Sequence, residues 1–509
     1  MNSVKNYLFA GNIVFVFFLI VFSNLGFLPF SELGNFIFLF LLALAFALYR
    51  PRWSFFFFVG VIMLENINLI PSDVGLNVRP YQLCGIALSL AIFVRVVSKR
   101  WEIKFPRIQA IDWAVIVFIV GSFISSVGAV NREIALKQSV IVLSFSILYF
   151  LTRIFISKFD DFKKIIPFFL SSVVVVTLYG IWQNMMFLGG GSHFEVMPGR
   201  PNATFTEPDW LGMFLVFVLA LMYALSYKRI SQNFRNKWQC FECAALFVLV
   251  NVLLIIAVSR SAWLGAGVVT ITYFFVALYF VLKKSVDMKK FLGYFSAVGM
   301  LIILSVAIVA FGGLTNFELQ NRAQSTGSGL QEITIACEKN VTVPGEIGDV
   351  SELEDYGCRH INLEEIESEK SVGKFIGKVY RKDPNVNIRA EIYWKSWEEI
   401  KKHPIIGIGW GNISDILGKD ERGAGLNSSN IFLEVWLGSG VLGLVSIVCL
   451  LGYGLRKGIL ILMREDDSAM GLFLVLGVVA IIVPNLFNAG IMLGFVWMFF
   501  GLFGVDNEK

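Results

Sequence analysis

Residues 289–311, KKFLGYFSAVGMLIILSVAIVAF, run without a break into 312–333, GGLTNFELQNRAQSTGSGLQEI. The chain then stays polar until Ser429-Asn430-Ile-Phe-Leu-Glu434-Val-Trp-Leu-Gly-Ser-Gly440-Val-Leu-Gly443 returns it to apolar sequence. This polar stretch divides the chain into three parts: an N-terminal bundle of transmembrane helices at 1–311, a large loop at 312–428, and C-terminal transmembrane helices at 429–509.

Outward from that stretch, apolar windows long enough to cross a bilayer recur at about 7–29, 34–49, 53–70 and 80–97, and so on to 289–311, then at about 430–455, 469–488 and 490–505. Fourteen windows are found, so an all-α polytopic membrane protein with about 12–14 transmembrane helices is expected. Composition agrees: 56% of the 509 residues are hydrophobic and only 16% charged, with mean hydropathy +0.70. No soluble domain of this length buries so much apolar sequence. The net charge of +5 forms no basic stripe, which argues against nucleic acid as a partner and leaves the bilayer as the first one. The N-terminal apolar run is longer than a signal-peptide core, lacks a small-residue cleavage site, and is read as the first helix.

Lys and Arg cluster in alternate loops: Arg50-Pro-Arg52, Lys99 to Arg107, Lys158 with Lys163-Lys164, Lys228 to Lys237, Lys283 to Lys290 and Arg456 to Arg464. The positive-inside rule then puts both termini in the cytoplasm and 312–428 outside. Within the loop, 338–369 carries ten acidic and two basic residues and reads as an accessory lobe, whereas 370–402 reverses the balance with nine basic and four acidic. Ala390, Tyr393, Trp394, Trp397 and Ile400 fall at helical spacing, so an amphipathic helix is expected at 389–402, lying along the membrane surface or packed on its own lobe. Cys337 and Cys358 are placed to pair if the loop meets an oxidising compartment.

Four segments expected on the outer side carry chemistry-bearing residues. They are Gly199-Arg200 through Glu207-Pro208-Asp209 to Gly212; Ser259-Arg260-Ser261-Ala-Trp263; Arg389 to Trp394 with His403-Pro-Ile-Ile-Gly407-Ile-Gly409-Trp-Gly411-Asn412; and Ser429-Asn430 with Gly440-Val-Leu-Gly443. Arginine at a membrane boundary is costly unless it works, and its rigid fork of donors matches phosphate oxygens. Arg200 and Arg260 read this way, while Arg79 and Arg132 read as interfacial snorkelling. Glu207 and Asp209 read by composition as helix caps, and the glycines at 407, 409 and 411 as a tight turn or close backbone approach. No residue cluster calls for a metal, and no phosphate-cradling loop calls for a nucleotide cofactor.

Taken together and in order, the four segments resemble the O-antigen ligase and O-antigen polymerase family of bacterial envelope proteins. Arg200 with Phe205-x-Glu-Pro-x-x-Leu-Gly212, the Ser-Arg-Ser turn at 259–261, the stretch from Arg389 to Gly409, and Ser429-Asn430-x9-Gly440-x-x-Gly443 each look like a family motif. Ligases carry histidine where this chain has Ser429, and several polymerase-like members have Ser-Asn. The resemblance implies an inner-membrane enzyme acting at the outer face on an undecaprenyl-pyrophosphate-linked glycan, without metal or cofactor. A sugar hydroxyl of a glycan or lipid acceptor would attack the anomeric carbon. On that reading Arg200 and Arg260 grip the pyrophosphate with Arg389 as a third cation, Glu207 or else His403 serves as general base, and Ser429 and Asn430 bind acceptor hydroxyls. Polymerisation of repeat units, ligation to another acceptor, and flipping of lipid-linked sugars are the competing functions.

Overall fold

The structure is a computed structural model, and it describes all residues except 1, 27–32, 71–76, 102, 192–194, 198, 232–236, 284–286, 316–329, 340, 349, 362–365, 383, 419–424, 465–468 and 506–509. Eleven helices precede the polar stretch: α1 (Asn2–Asn24), α2 (Leu33–Tyr49), α3 (Pro51–Val61), α4 (Pro80–Val97), α5 (Ala110–Gly128), α6 (Arg132–Phe155), α7 (Phe159–Leu188), α8 (Pro208–Ser231), α9 (Lys237–Ile256), α10 (Arg260–Leu282) and α11 (Met288–Phe311). Helix α12 (Pro384–Lys402) lies late in the polar stretch, and α13 (Ile431–Arg464), α14 (Ala469–Asn485) and α15 (Gly494–Leu502) complete the bundle. Among the described residues, nine helices are long and apolar enough to cross a membrane, and Leu33–Tyr49, Cys240–Ile256 and Ala469–Asn485 are shorter apolar helices. The chain is a multi-pass α-helical membrane protein.

Two expected spans are only half-helices. Sequence 53–70 is α-helical to Val61 alone, with Glu65 beyond the helix end meeting other segments of the fold, and the last window is α-helical only over Gly494–Leu502. Glu65 Oε2 accepts from Tyr81 Oη at 2.7 Å and pairs with Arg79 at 2.8 Å, while Oε1 accepts from Gly494 N at 2.7 Å. Arg79 therefore turns inward to a buried carboxylate instead of snorkelling. A second buried pair, Arg153 with Asp112 at 3.1 Å, joins α6 to α5 at the opposite end, where Tyr149 Oη also donates to Asp112 at 2.6 Å.

Residues 330–382 contain a four-stranded sheet, which helical periodicity gave no hint of. Strands β1 (Leu330–Cys337), β2 (Glu346–Ile347), β3 (Cys358–Ile361) and β4 (Phe375–Lys382) lie in the order β2-β4-β1-β3. Ile333, Ile335, Ile347, Leu353 and Val379 form a small core separate from that of the bundle. Cys337 faces Cys358 across the antiparallel β1–β3 pair and is bonded to it, closing a loop of 21 residues. Chain entropy gives such a closure about 3 kcal/mol. Cys337→Ser is expected to lose about that much protection at 330–382, read by hydrogen exchange; unchanged protection would mean the bond does not hold the lobe.

Helix α12 begins five residues before the periodicity suggested. It buries Ile392, Ser396 and Ile400 against the bundle and exposes Trp394 and Trp397, so its apolar stripe is divided between two environments. After His403 the chain enters a break in α13. Gly440 leaves helical geometry at φ 64° and ψ −165°, and the freed backbone groups bond to the incoming strap. Ile408 N and Gly409 N donate to Leu437 O at 2.8 and 3.2 Å, and Val441 N donates to Ile405 O at 3.0 Å. Trp410 then lies over Gly438, its Nε1 donating to Ser439 Oγ (2.7 Å) and Ser122 Oγ (3.1 Å). Asn412 clasps Asn131 through both of its backbone groups. The glycine run is a structural strap.

Candidate functional site

One end of the bundle gathers the loop before α8, the α9–α10 turn, α12, the start of α13 and the segment after α14. The loop before α8 is stiffened from within. Buried Asn202 accepts from Gln183 Nε2 and Val196 N and donates to Phe205 O, while Thr204 O accepts from Glu65 N and Asn66 N. That network presents Arg200. Its Nε donates to Ala257 O at 3.2 Å, Nη1 points to Met197 Sδ at 3.5 Å, and Nη2 meets Asp209 Oδ1 at 3.3 Å.

Asp209 occupies the first turn of α8 just after Pro208, where the helix dipole favours a negative charge. Its Oδ1 also accepts from Ser259 Oγ at 2.6 Å. The approach is possible because Gly212 lacks a side chain: a Cβ there would stand 2.6 Å from Ala262 Cβ and 3.1 Å from Ser259 Cβ. Ser259 Oγ lies 3.3 Å from Ser261 Oγ, which accepts from Asn488 Nδ2 at 2.8 Å. Two residues before Asn488, Leu486 O accepts from Asn430 Nδ2 (3.2 Å) and Tyr393 Oη (2.9 Å). Tyr393 shares its proton with Ser429 O at 3.0 Å. Arg389, one turn before Tyr393, acts electrostatically on both Tyr393 and Asp209 and closes the circuit.

The turn that carries Arg260 has only three residues, 257–259, between helices. Val258 adopts φ +51°, a conformation that a β-branched residue rarely takes. Ala203 and Ser429 share it at φ +47° each, so three of the four described non-glycine residues at positive φ border this polar circuit. Such strain persists where the surroundings over-determine the backbone, as at functional sites.

The expected site residues thus fall into two groups. Arg200 pairs with Asp209 and the Arg389 charge acts on it, while Glu207 lies half-buried two residues before it and Arg260 follows Ser259, whose hydroxyl bonds that carboxylate. Ser429 and Asn430 stand beside them in backbone-organising roles. Asn430 Oδ1 caps α13 by accepting from Phe432 N at 2.9 Å and Leu433 N at 3.3 Å, and Ser429 N donates to Asn427 Oδ1. His403 is elsewhere. It lies fourteen residues along α12 from Arg389, about 21 Å at the helical rise, exposed and paired with Glu399 at 3.5 Å.

Asp209, Tyr393 and Asn488 were missed as site residues by sequence reading. Asp209 had a sufficient alternative as a cap, and Asn488 becomes relevant only once α14 returns to the site. Glu195 was missed too. Burial pushes its carboxyl up to about 7, although Gly199 N donates to it at 2.9 Å and pulls the other way. A group raised from its ordinary 4.5 contributes stability that is present below that value and is lost as pH rises through about 7. Amide exchange in 195–205 is expected to accelerate between about pH 4.5 and about pH 7 beyond the intrinsic rate, and Glu195→Gln to flatten the response. Equal profiles for the two proteins would refute this.

The fold and this polar end define a class: a multi-pass helical membrane protein with arginines and carboxylates gathered at one end of its bundle. Residues 244–448 match the family model described as O-Antigen ligase, which supports a place in the O-antigen ligase/polymerase family. The match includes Arg260, Arg389, His403, Ser429 and Asn430 and begins after Arg200 and Glu207. No curated protein matches the chain. The match supports glycan transfer of the ligase/polymerase type in general, in a membrane setting.

Proposed function

We propose that this protein polymerises glycan repeat units carried on undecaprenyl pyrophosphate, at the extracytoplasmic face of the bacterial inner membrane. The observation that carries the reading is the convergence of Arg200, Arg389 and the Arg260 turn around one carboxylate. The helices α8, α10 and α13 also begin at this end, so their amide-rich N-termini add positive potential for a diphosphate. Both termini are then cytoplasmic and 312–428 is outside, as the charge bias requires; the Cys337–Cys358 bond supports that side, since disulfides persist in oxidising compartments.

In the reaction, an acceptor hydroxyl oxygen bonds to the anomeric carbon of the donor. The bond from that carbon to the pyrophosphate oxygen breaks, and its electron pair leaves with the lipid diphosphate. The hydroxyl proton passes to Glu207, which is preferred over His403 because of the latter's distance from the arginines. Positioning and neutralisation of the leaving diphosphate carry most of the rate. Serine at 429 favours repeat-unit polymerisation over ligation: no imidazole is present there to act on a distinct acceptor. The test is incubation of purified protein with a lipid-linked repeat unit as both donor and acceptor. A ladder of lengthened lipid-linked products is expected; no elongation with repeat units, but transfer to an added second acceptor, would make it a ligase.

A further inference from the structure

Resting on that reading, we propose that Asp209 is an exchangeable counter-ion for the arginines: it holds them before the donor binds, and by returning to them it helps expel the lipid diphosphate after transfer. Three observations carry this. Asp209 Oδ1 takes the Arg200 Nη2 donor at 3.3 Å, which is the corner of the guanidinium not engaged by Ala257 O or Met197 Sδ. The Arg389 charge bears on the same carboxylate from α12. Asp209 remains about a quarter exposed and Arg200 14% exposed, so the pair sits at the rim of the site, where a ligand can displace one partner without unpacking the bundle.

Chemistry supplies the need. A glycosyl diphosphate has its terminal phosphate esterified, and cleavage frees one more ionisable oxygen. The product is therefore more anionic than the donor, and arginines that hold the donor hold the product more tightly. Product release limits many enzymes. A resident carboxylate on the same guanidinium lowers that barrier by replacing one anion with another. The Ser259 Oγ bond of 2.6 Å keeps the displaced carboxylate close at hand. Asp209 is thus a positioning residue that acts through Arg200 and Arg389.

The probe is inorganic pyrophosphate, titrated calorimetrically into the full-length protein in detergent micelles, beside turnover measured with a lipid-linked repeat unit. Removing one adjacent negative charge at partial solvent exposure tightens binding by about fivefold. Asp209→Asn is therefore expected to bind pyrophosphate about fivefold more tightly while its kcat falls and its KM does not rise. A role as a mere helix cap moves stability and not this split. Unchanged or weaker binding in a variant of wild-type Tm overturns the proposal. If Asp209→Asn does not fold, Asp209→Glu decides: retention of the charge predicts affinity within about twofold of wild type, and a fivefold tightening contradicts it. Arg200→Gln separates the two readings. Wild type that binds no pyrophosphate sinks the proposed function and this inference together. Binding that Arg200→Gln weakens but Asp209→Asn does not tighten sinks the inference alone.

Discussion

Arg260→Ala is expected to abolish glycan assembly at unchanged protein level, with turnover down at least about a hundredfold, the loss typical of deleting one preorganised donor at developing negative charge. Arg260 is the first residue of α10, delivered by a turn of three residues whose Val258 is held at φ +51° and whose Ala257 carbonyl is bonded by Arg200. The backbone there has little freedom to let another side chain take over. Arg260→Lys keeps the charge but loses the fork, so partial recovery is expected, with a raised KM for the donor. The measurement is transfer rate against donor concentration at matched folded protein. Full activity in Arg260→Ala would remove the arginine from the reaction.

The second large effect is structural. Gly440→Ala is expected to cost about 3 kcal/mol or more, because φ +64° strains any L side chain and the new Cβ meets the Ile405 carbonyl oxygen. The strap at 405–409 is then pushed from the break in α13, and Leu437 O loses its two donors. Since the strap follows α12 directly, Arg389 and Tyr393 shift with it. A lowered Tm together with lost transfer is the expected pair of results. A variant with wild-type Tm would show that the break in α13 tolerates a side chain.

Much of this was legible from residues alone, for identifiable reasons. Membrane helices are long apolar runs, so their type and order can be read from hydropathy, and the alternation of basic loops follows from the cost of moving Lys and Arg across a bilayer. The Ser-Arg-Ser turn stood out because an arginine with almost no loop around it has few places to go. Other features had no sequence signal. The four-stranded sheet rests on short strands in a charged segment, where neither alternation nor length separates strand from coil. Glu65 and Arg79 pair across fourteen residues only because α3 stops short, and a half-helix resembles a whole one when the window continues apolar to Ile70. Asp209 was hidden by sufficiency: Pro-Asp at a helix start is explained by capping, and its three partners come from other parts of the chain. The glycines at 407, 409, 411 and 440 were legible as points of close approach, but not what approached them.

The most direct test of the central claim is the glycan profile of a deletion strain complemented with wild type or with Arg260→Ala. Glycans of a single repeat unit in the deletion and in Arg260→Ala, with long chains restored by wild type, are the predicted result. Repeat units trapped on the cytoplasmic face of the membrane would contradict it and make the protein a carrier of lipid-linked sugars.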